Sequence, residues 1–159
     1  MTQGLFHSKI LSFASYIPEN FVPIEEFAAV GDLPGKLDLH RLTGIDGHRR
    51  SDLAEGSLEL ATKAAKKCIH RSKIEPDKID LVINCAVSNL SSSLGLHISP
   101  SMATIIAKEL GINEAICFDI SNACSGMITS LMIADSMIKS GEIETALIVS
   151  GENITSLID

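Results

Sequence analysis

The chain has 159 residues, 45% hydrophobic and 21% charged, with a formal net charge of −7; this is the composition of a folded chain long enough for one domain with a core. The acidic balance, the absence of Trp and an aromatic content of 4% argue against nucleic-acid binding, which calls for a basic footprint and stacking surfaces. No apolar run reaches the ~18 residues of a membrane span, the N-terminus MTQGLFHSKI lacks a secretory signal pattern, and Cys68, Cys85, Cys117 and Cys124 form neither a C-x-x-C pair nor a zinc-spaced cluster. A cytoplasmic chain with reduced thiols and no metal site is expected.

KILSFASYIP (9–18) reads as a first strand stopped by Pro18, and VPIEEFAAV (22–30) as a short helix. Residues 31–50 are rich in Gly, Pro and charge and read as loop. SLELATKAAKKCIHRS (57–72) is an amphipathic helix, with Leu58, Ala61, Ala65, Cys68 and Ile69 on one face and Lys63, Lys66, Lys67 and Arg71 largely on the other. EPDKID (75–80) is a turn. LVINCAV (81–87) is apolar on both faces, as a central parallel strand requires.

Residues 88–98 read as a polar loop. Ser99 and Pro100 are expected to open a helix, as N-cap and first-turn residue, that Gly111 closes. AICFDI (115–120) is a strand, Cys124 to Ser140 a helix ending at Gly141, and TALIVSG (145–151) a strand. Helices alternating with parallel-type strands predict a layered α/β fold.

Between Cys124 and Lys139 the only charge is Asp135, so this helix is expected to be buried nearly all round. Cys124 then stands at a helix N-terminus just past the C-terminal end of a strand, where open α/β sheets bind ligands. A helix start favours the thiolate over the thiol. Ser121, Ala123, Ser125 and Gly126 are small enough to admit a substrate carbonyl, with backbone N–H groups near to serve its oxyanion. Cys68, Cys85 and Cys117 fit a helix face and strand interiors and read as core. No G-x-x-x-x-G-K-[ST], G-x-G-x-x-G or G-x-S-x-G pattern is present.

Five stretches, in order, resemble the thiolase superfamily and more closely the beta-ketoacyl-[acyl-carrier-protein] synthase III group: ASYIPEN (14–20), LTGIDGHRR (42–50) against T-G-I-x-x-R, KIEPDKIDLVINCAV (73–87), FDISNACSGM (118–127) and IKSGEIETALIVSGEN (138–153). The resemblance implies a thiolase-like layered fold of which residues 1–159 are the N-terminal part, with the C-terminal half and the strand that completes this half's sheet absent. It implies that Cys124 accepts an acyl group from an acyl thioester, of coenzyme A or a carrier protein, for condensation with a malonyl thioester in fatty-acid or secondary metabolism, with no cofactor. The His and Asn that assist condensation in the family lie in the half not present; His7, His40, His48, His70 and His97 do not match that His. The family's Trp before T-G-I is absent from KLDLHRL, so contacts to the thioester carrier would fall to Arg41, Arg49 or Arg50, for which a solvated surface is the competing reading. Expected partners are an acyl carrier protein, a C-terminal half or companion chain, and a second copy in a homodimer. The alternatives are a non-catalytic scaffold subunit, or transfer to an alcohol or amine.

Overall fold

The computed structural model describes residues 7–26, 39–52, 54–91, 95–96 and 98–154. The chain gathers into two compact units, residues 17–54 and the remainder.

In the smaller unit, β1 (Phe21–Pro23) pairs antiparallel with β2 (Gly47–Arg49), Phe21 opposite Arg49. Between them lies a short helix, α1 (Leu39–Thr43). Gly44, at φ +69°, ends it in the left-handed conformation that glycine adopts without strain, its N–H donating to the His40 carbonyl at 2.7 Å. So 31–50 is not wholly loop. The helix expected over 22–30 gives its first two residues to β1; residues 24–26 are helical and 27–30 lie outside the described residues.

The larger unit has three layers. Its sheet, in the order β6–β3–β7, is wholly parallel: β3 (Leu81–Asn84) lies between β6 (Ile116–Asp119) and β7 (Ala146–Val149). Val82, Leu147 and Val149 face α2 (Ser57–Ser72) and α3 (Met102–Glu109), in a cluster with Leu58, Ala61 and Ile106. Leu81 and Ile83 face the other way, onto Ala134 of α4 (Gly126–Ser140). All four β3 residues are fully buried; each large aliphatic side chain so placed contributes about 1.5–3 kcal/mol.

Carboxylates pin the strands. Asp119, at the end of β6, accepts the N–H groups of Met102 (2.8 Å) and Ala103 (2.9 Å), satisfying orphan donors of α3. Asp80 does the same for Glu144 and Thr145 ahead of β7. The helix over 102–109 begins two residues later than expected: Ser101, not Ser99, is the cap, its hydroxyl accepting from the Thr104 N–H, after a cis Ser99–Pro100 bond. Within 88–98, two short strands, β4 (Leu90–Ser91) and β5 (Gly95–Leu96), pair antiparallel where a loop was expected.

The predicted first strand, 9–18, is the main departure. The segment alternates half-buried residues (Ser12, Ala14, Tyr16) with exposed ones (Leu11, Phe13, Ser15), the period of a strand, yet among the described residues it pairs with no strand. Side chains hold it to the helices instead. Ser12 Oγ donates to the Cys68 carbonyl, Arg71 donates to the Phe13 carbonyl, and Ser8 donates to Asp135. Tyr16 donates to Glu55 at 2.7 Å, and Lys63 binds both. The Lys63 hydrogen bond, then that of Tyr16, holds the Glu55 carboxyl below the usual carboxylate range.

A group depressed on folding stabilises above its unfolded pKa and loses that contribution as pH falls through its folded one. The near-ultraviolet signal of Tyr16, the only tyrosine, is therefore expected to persist through the ordinary Glu range, about pH 4.3, and to change only at more acid pH. Titration of that signal at the ordinary value would contradict the arrangement.

Candidate active site

The register of the parallel sheet sets Asn84 beside Asp119 on one side and Val149 on the other, so the segments leaving β3, β6 and β7 emerge on one edge. Cys124 is on the segment leaving β6. It is exposed, and it sits in a 3-10 turn (Ala123–Ser125) immediately ahead of α4, so that the α-helix begins two residues later than expected, at Gly126.

Local geometry fixes that turn. The Ser125 N–H donates to the Asn122 carbonyl at 3.0 Å, and Asn122 Nδ2 donates to Thr129 Oγ1 at 2.9 Å, tying the turn to the next helical turn. Ser130 donates to the Gly126 carbonyl at 2.8 Å. Gly126 is buried against the segment leaving β3: a Cβ there would stand 2.9 Å from the Cys85 carbonyl oxygen. Only glycine lets the start of α4 come this close to the sheet edge.

Ala123 has φ +42°, a left-handed conformation that costs a non-glycine residue roughly 1–2 kcal/mol. Such outliers concentrate at functional sites, and this one directly precedes Cys124. Nothing in the sequence marks it, because alanine carries no turn signal. Ala123→Gly is expected to raise the unfolding midpoint by a few degrees, for roughly 1 kcal/mol, and Ala123→Val to lower it by more; an unchanged midpoint in both would mean the strain is absent.

A polar network that the sequence reading missed ties the neighbouring segments together. Glu152, after β7, accepts the N–H groups of Val87 (2.6 Å) and Ser88 (3.1 Å) and the Ser88 hydroxyl. The Asn153 N–H donates to Ser88 Oγ at 3.2 Å, Ser57 Oγ lies 3.0 Å from the same atom, and Asn153 Nδ2 donates to the Glu55 carbonyl. Ser57, Ser88 and Asn153 are buried. Their partners lie 31 to 98 residues away in sequence, so only the stretch SGEN, already noted for its family resemblance, carried any trace of them.

The other thiols read as core are less accessible. Cys85 is buried, and burial pushes its thiol up. Cys117 is half-buried, pushed up by burial and then by the charge of Asp119. Cys68 is half-buried, with Ser12 Oγ at 3.1 Å.

The helix behind Cys124 is less covered than its composition suggested. Gly126, Ser130 and Ala134 are buried, but Ile128 and Met132 are 60% and 69% exposed, because no described layer packs on that side of α4.

Arg41, Arg49 and Arg50 belong to the smaller unit. The Arg49 guanidinium donates to the Glu19 carbonyl and lies 5.3 Å from the centre of the Phe21 ring; Arg50 donates its N–H to the Asn20 carbonyl, and Arg41 is on α1. His40 and Asp46 are 2.9 Å apart, His70 is exposed on α2, and His97 lies outside the described residues. Among the described residues no helix is long and apolar enough to cross a membrane.

Residues 118–159 match the family model for 3-oxoacyl-[acyl-carrier-protein] synthase III. The chain is 36% identical over 151 residues to a beta-ketoacyl-[acyl-carrier-protein] synthase III of Clostridium acetobutylicum, covering 95% of this chain and 44% of that protein. It is 33% identical over 155 residues to one of Acholeplasma laidlawii, covering 95% and 47%. Among solved structures, the priming beta-ketosynthase of the R1128 polyketide biosynthetic pathway aligns with a TM-score of 0.84 at 28% identity, covering 98% of this chain and 44% of that one. The 3-oxoacyl-[acyl-carrier-protein] synthase III of Aquifex aeolicus aligns with a TM-score of 0.80 at 30% identity, covering 93% and 46%. The chain thus spans a little under half the length of the relatives it matches.

Proposed function

From a chain that is the N-terminal portion of the beta-ketoacyl-[acyl-carrier-protein] synthase III fold, we propose a role as the acyl-accepting part of a condensing enzyme, with Cys124 as nucleophile. The observation that carries this is the exposed thiol, held in a strained turn at the C-terminal edge of the parallel sheet and inside the matched stretch 118–159. Its sulfur attacks the carbonyl of an acyl thioester; a Cys–S–acyl bond forms, the carbon–sulfur bond of the donor breaks, and the released thiol takes the proton. A malonyl thioester then loses carbon dioxide, and the resulting carbanion attacks the acyl carbonyl; the Cys–S–acyl bond breaks, giving a 3-oxoacyl thioester and a Cys124 thiolate that regains its proton from water. Dividing the transfer replaces one high barrier by two lower ones.

Condensation requires groups from the other half of the fold, so the active unit contains a second polypeptide portion, and a homodimer of that unit is the expected assembly. Coenzyme A or an acyl carrier protein delivers the acyl group, and no cofactor takes part. Arg41, Arg49 and Arg50 are the candidate contacts for the phosphates of the donor. Four unpaired cysteines suit a reducing cytoplasm.

The test is intact-mass spectrometry of the chain, assembled with a C-terminal portion, before and after incubation with acyl-coenzyme A thioesters and acyl carrier protein. One acyl mass is expected, absent in Cys124→Ala. An adduct that survives that substitution would move the nucleophile elsewhere; no adduct from either donor would leave a scaffold role.

A further inference from the structure

From Ser121 to Gly126 the residues that flank Cys124 are small, with one exception, Asn122. Asn122 is the cap of the 3-10 turn that carries the thiol. An Asn in that position ordinarily turns its side-chain oxygen onto the backbone N–H groups that follow. Here it makes no such bond. Its Nδ2 reaches across the turn instead and donates to Thr129 Oγ1 at 2.9 Å, seven residues on, in α4. Thr129 departs from habit too. A hydroxyl inside a helix commonly bonds back to the carbonyl four residues earlier, as Ser130 does to Gly126. Thr129 Oγ1, one position before, takes a bond from outside the helix.

This bond spans the strained residue. Ala123, at φ +42°, joins Asn122 to Cys124. Such a conformation persists only where its surroundings over-determine it. Beyond Cys124, Gly126 is wedged against the Cys85 carbonyl. Before Ala123, Asn122 is held twice: its carbonyl accepts the Ser125 N–H at 3.0 Å, and its side chain is tied to Thr129. The carbonyl bond closes a four-residue turn, and the commonest turn of that kind is closed by a right-handed second residue. That bond alone therefore does not select the left-handed form. The side-chain bond fixes where Asn122 stands against α4, and so selects it.

We propose that Asn122 and Thr129 are positioning residues for Cys124: their hydrogen bond holds Ala123 left-handed and thereby sets the direction from which the thiol meets an acyl carbonyl. This role rests on the acyl-transfer reading. In it neither residue touches a reacting atom; both act through the backbone on either side of the sulfur. Attack on a bound carbonyl needs sulfur and carbon aligned, and a displacement of about 1 Å costs up to about a hundredfold in rate. Alkylation by a small reagent from solution needs only an accessible thiolate. The two reactions therefore separate orientation of the thiol from its exposure.

Thr129→Val removes the hydroxyl, keeps the branched shape and has nearly the same helix propensity. On the 159-residue chain, three-bond NMR couplings read the φ of Ala123. They are expected to leave their left-handed values in Thr129→Val and Asn122→Ala, and to keep them in Thr129→Ser, which retains the hydroxyl. In the unit assembled with a C-terminal portion, loading of Cys124 from acyl-coenzyme A or acyl carrier protein is expected to slow roughly tenfold in Thr129→Val and Asn122→Ala and to stay within about twofold in Thr129→Ser. The iodoacetamide rate is expected to change less than about twofold in all three. Couplings that do not respond to Thr129→Val overturn the proposal. So does alkylation that slows in step with acyl loading, which would make the pair a control on exposure alone. Thr129→Ser as slow as Thr129→Val also overturns it, since the loss would then come from packing. A wild type that takes no acyl group from either donor overturns the acyl-transfer reading and this role with it; couplings that still respond to Thr129→Val would then leave the bond as a structural tie only.

Discussion

Gly151→Ala is expected to lower the unfolding midpoint by roughly 6–12 °C, which corresponds to about 3 kcal/mol in a chain of this size. A Cβ at this buried position would stand 2.1 Å from the Ser57 carbonyl oxygen and 2.7 Å from the Ala61 nitrogen. Both are backbone atoms at the start of α2, so no side chain can swing aside to relieve the overlap. Either the turn or the segment leaving β7 must move, and moving the latter drags Glu152 and Asn153 away from Ser88. Gly111→Ala is the control. Gly111 has φ +75° and nothing within 4 Å of a Cβ, so it carries conformational strain of roughly 1 kcal/mol and no collision. Midpoints that fall equally in the two variants would show that the close approach at Gly151 contributes nothing. A larger fall for Gly151 locates the tight contact where the strand ends meet α2, the scaffold on which the candidate site stands.

What the sequence made legible follows the reach of the forces involved. The helix over 57–72 matches its expected bounds because its apolar face, its basic face and its stop are all local. The central strand, β3, was readable for a different reason: only a strand covered on both sides tolerates apolar residues on both faces. Segment 9–18 has the strand period, and the structure keeps that period, but a strand also needs a neighbour, and no local pattern reveals whether one is present. The exposed outer side of α4 has the same origin. Ile128 and Met132 read as buried because they are apolar, and burial depends on a layer that is not among the described residues. Within 31–50, α1 and β2 are short elements whose Gly-rich flanks outweigh them in a window.

The site was legible as a position and illegible as a geometry. Small residues between an apolar strand and an apolar helix located Cys124 at the sheet edge. The two-residue offset into a 3-10 turn, the φ of Ala123 and the contact between Gly126 and Cys85 arise from how the helix seats against β3, a tertiary constraint. Glu152 could have been noticed as a lone carboxylate soon after an apolar strand, but its donors are Val87 and Ser88, on a segment that sequence does not place beside it.

With iodoacetamide near neutral pH, Cys124 is expected to be alkylated about tenfold faster than Cys68 or Cys117, and about a hundredfold faster than Cys85. The thiolate is the reacting species, so the rate follows both the thiolate fraction and access to the sulfur. Cys85 loses on both counts: it is buried, its burial raises the pKa, and its Sγ is turned onto the Val149 carbonyl. Cys117 is raised by burial and by the adjacent Asp119 charge, and its thiol donates to the Ala115 carbonyl at 3.5 Å. Cys68 is partly covered, between Ser12 Oγ and the Ser12 carbonyl. Peptide mapping after timed quenching reads all four sites at once, and in denaturant the four rates should converge, which shows that the native differences come from the fold. Equal native rates at Cys124 and Cys85 would remove the distinction between an outward-facing thiol and core sulfur. Since a nucleophile must meet a carbonyl carbon from outside, that distinction is the first requirement for Cys124 to take an acyl group, and it can be measured on this chain alone.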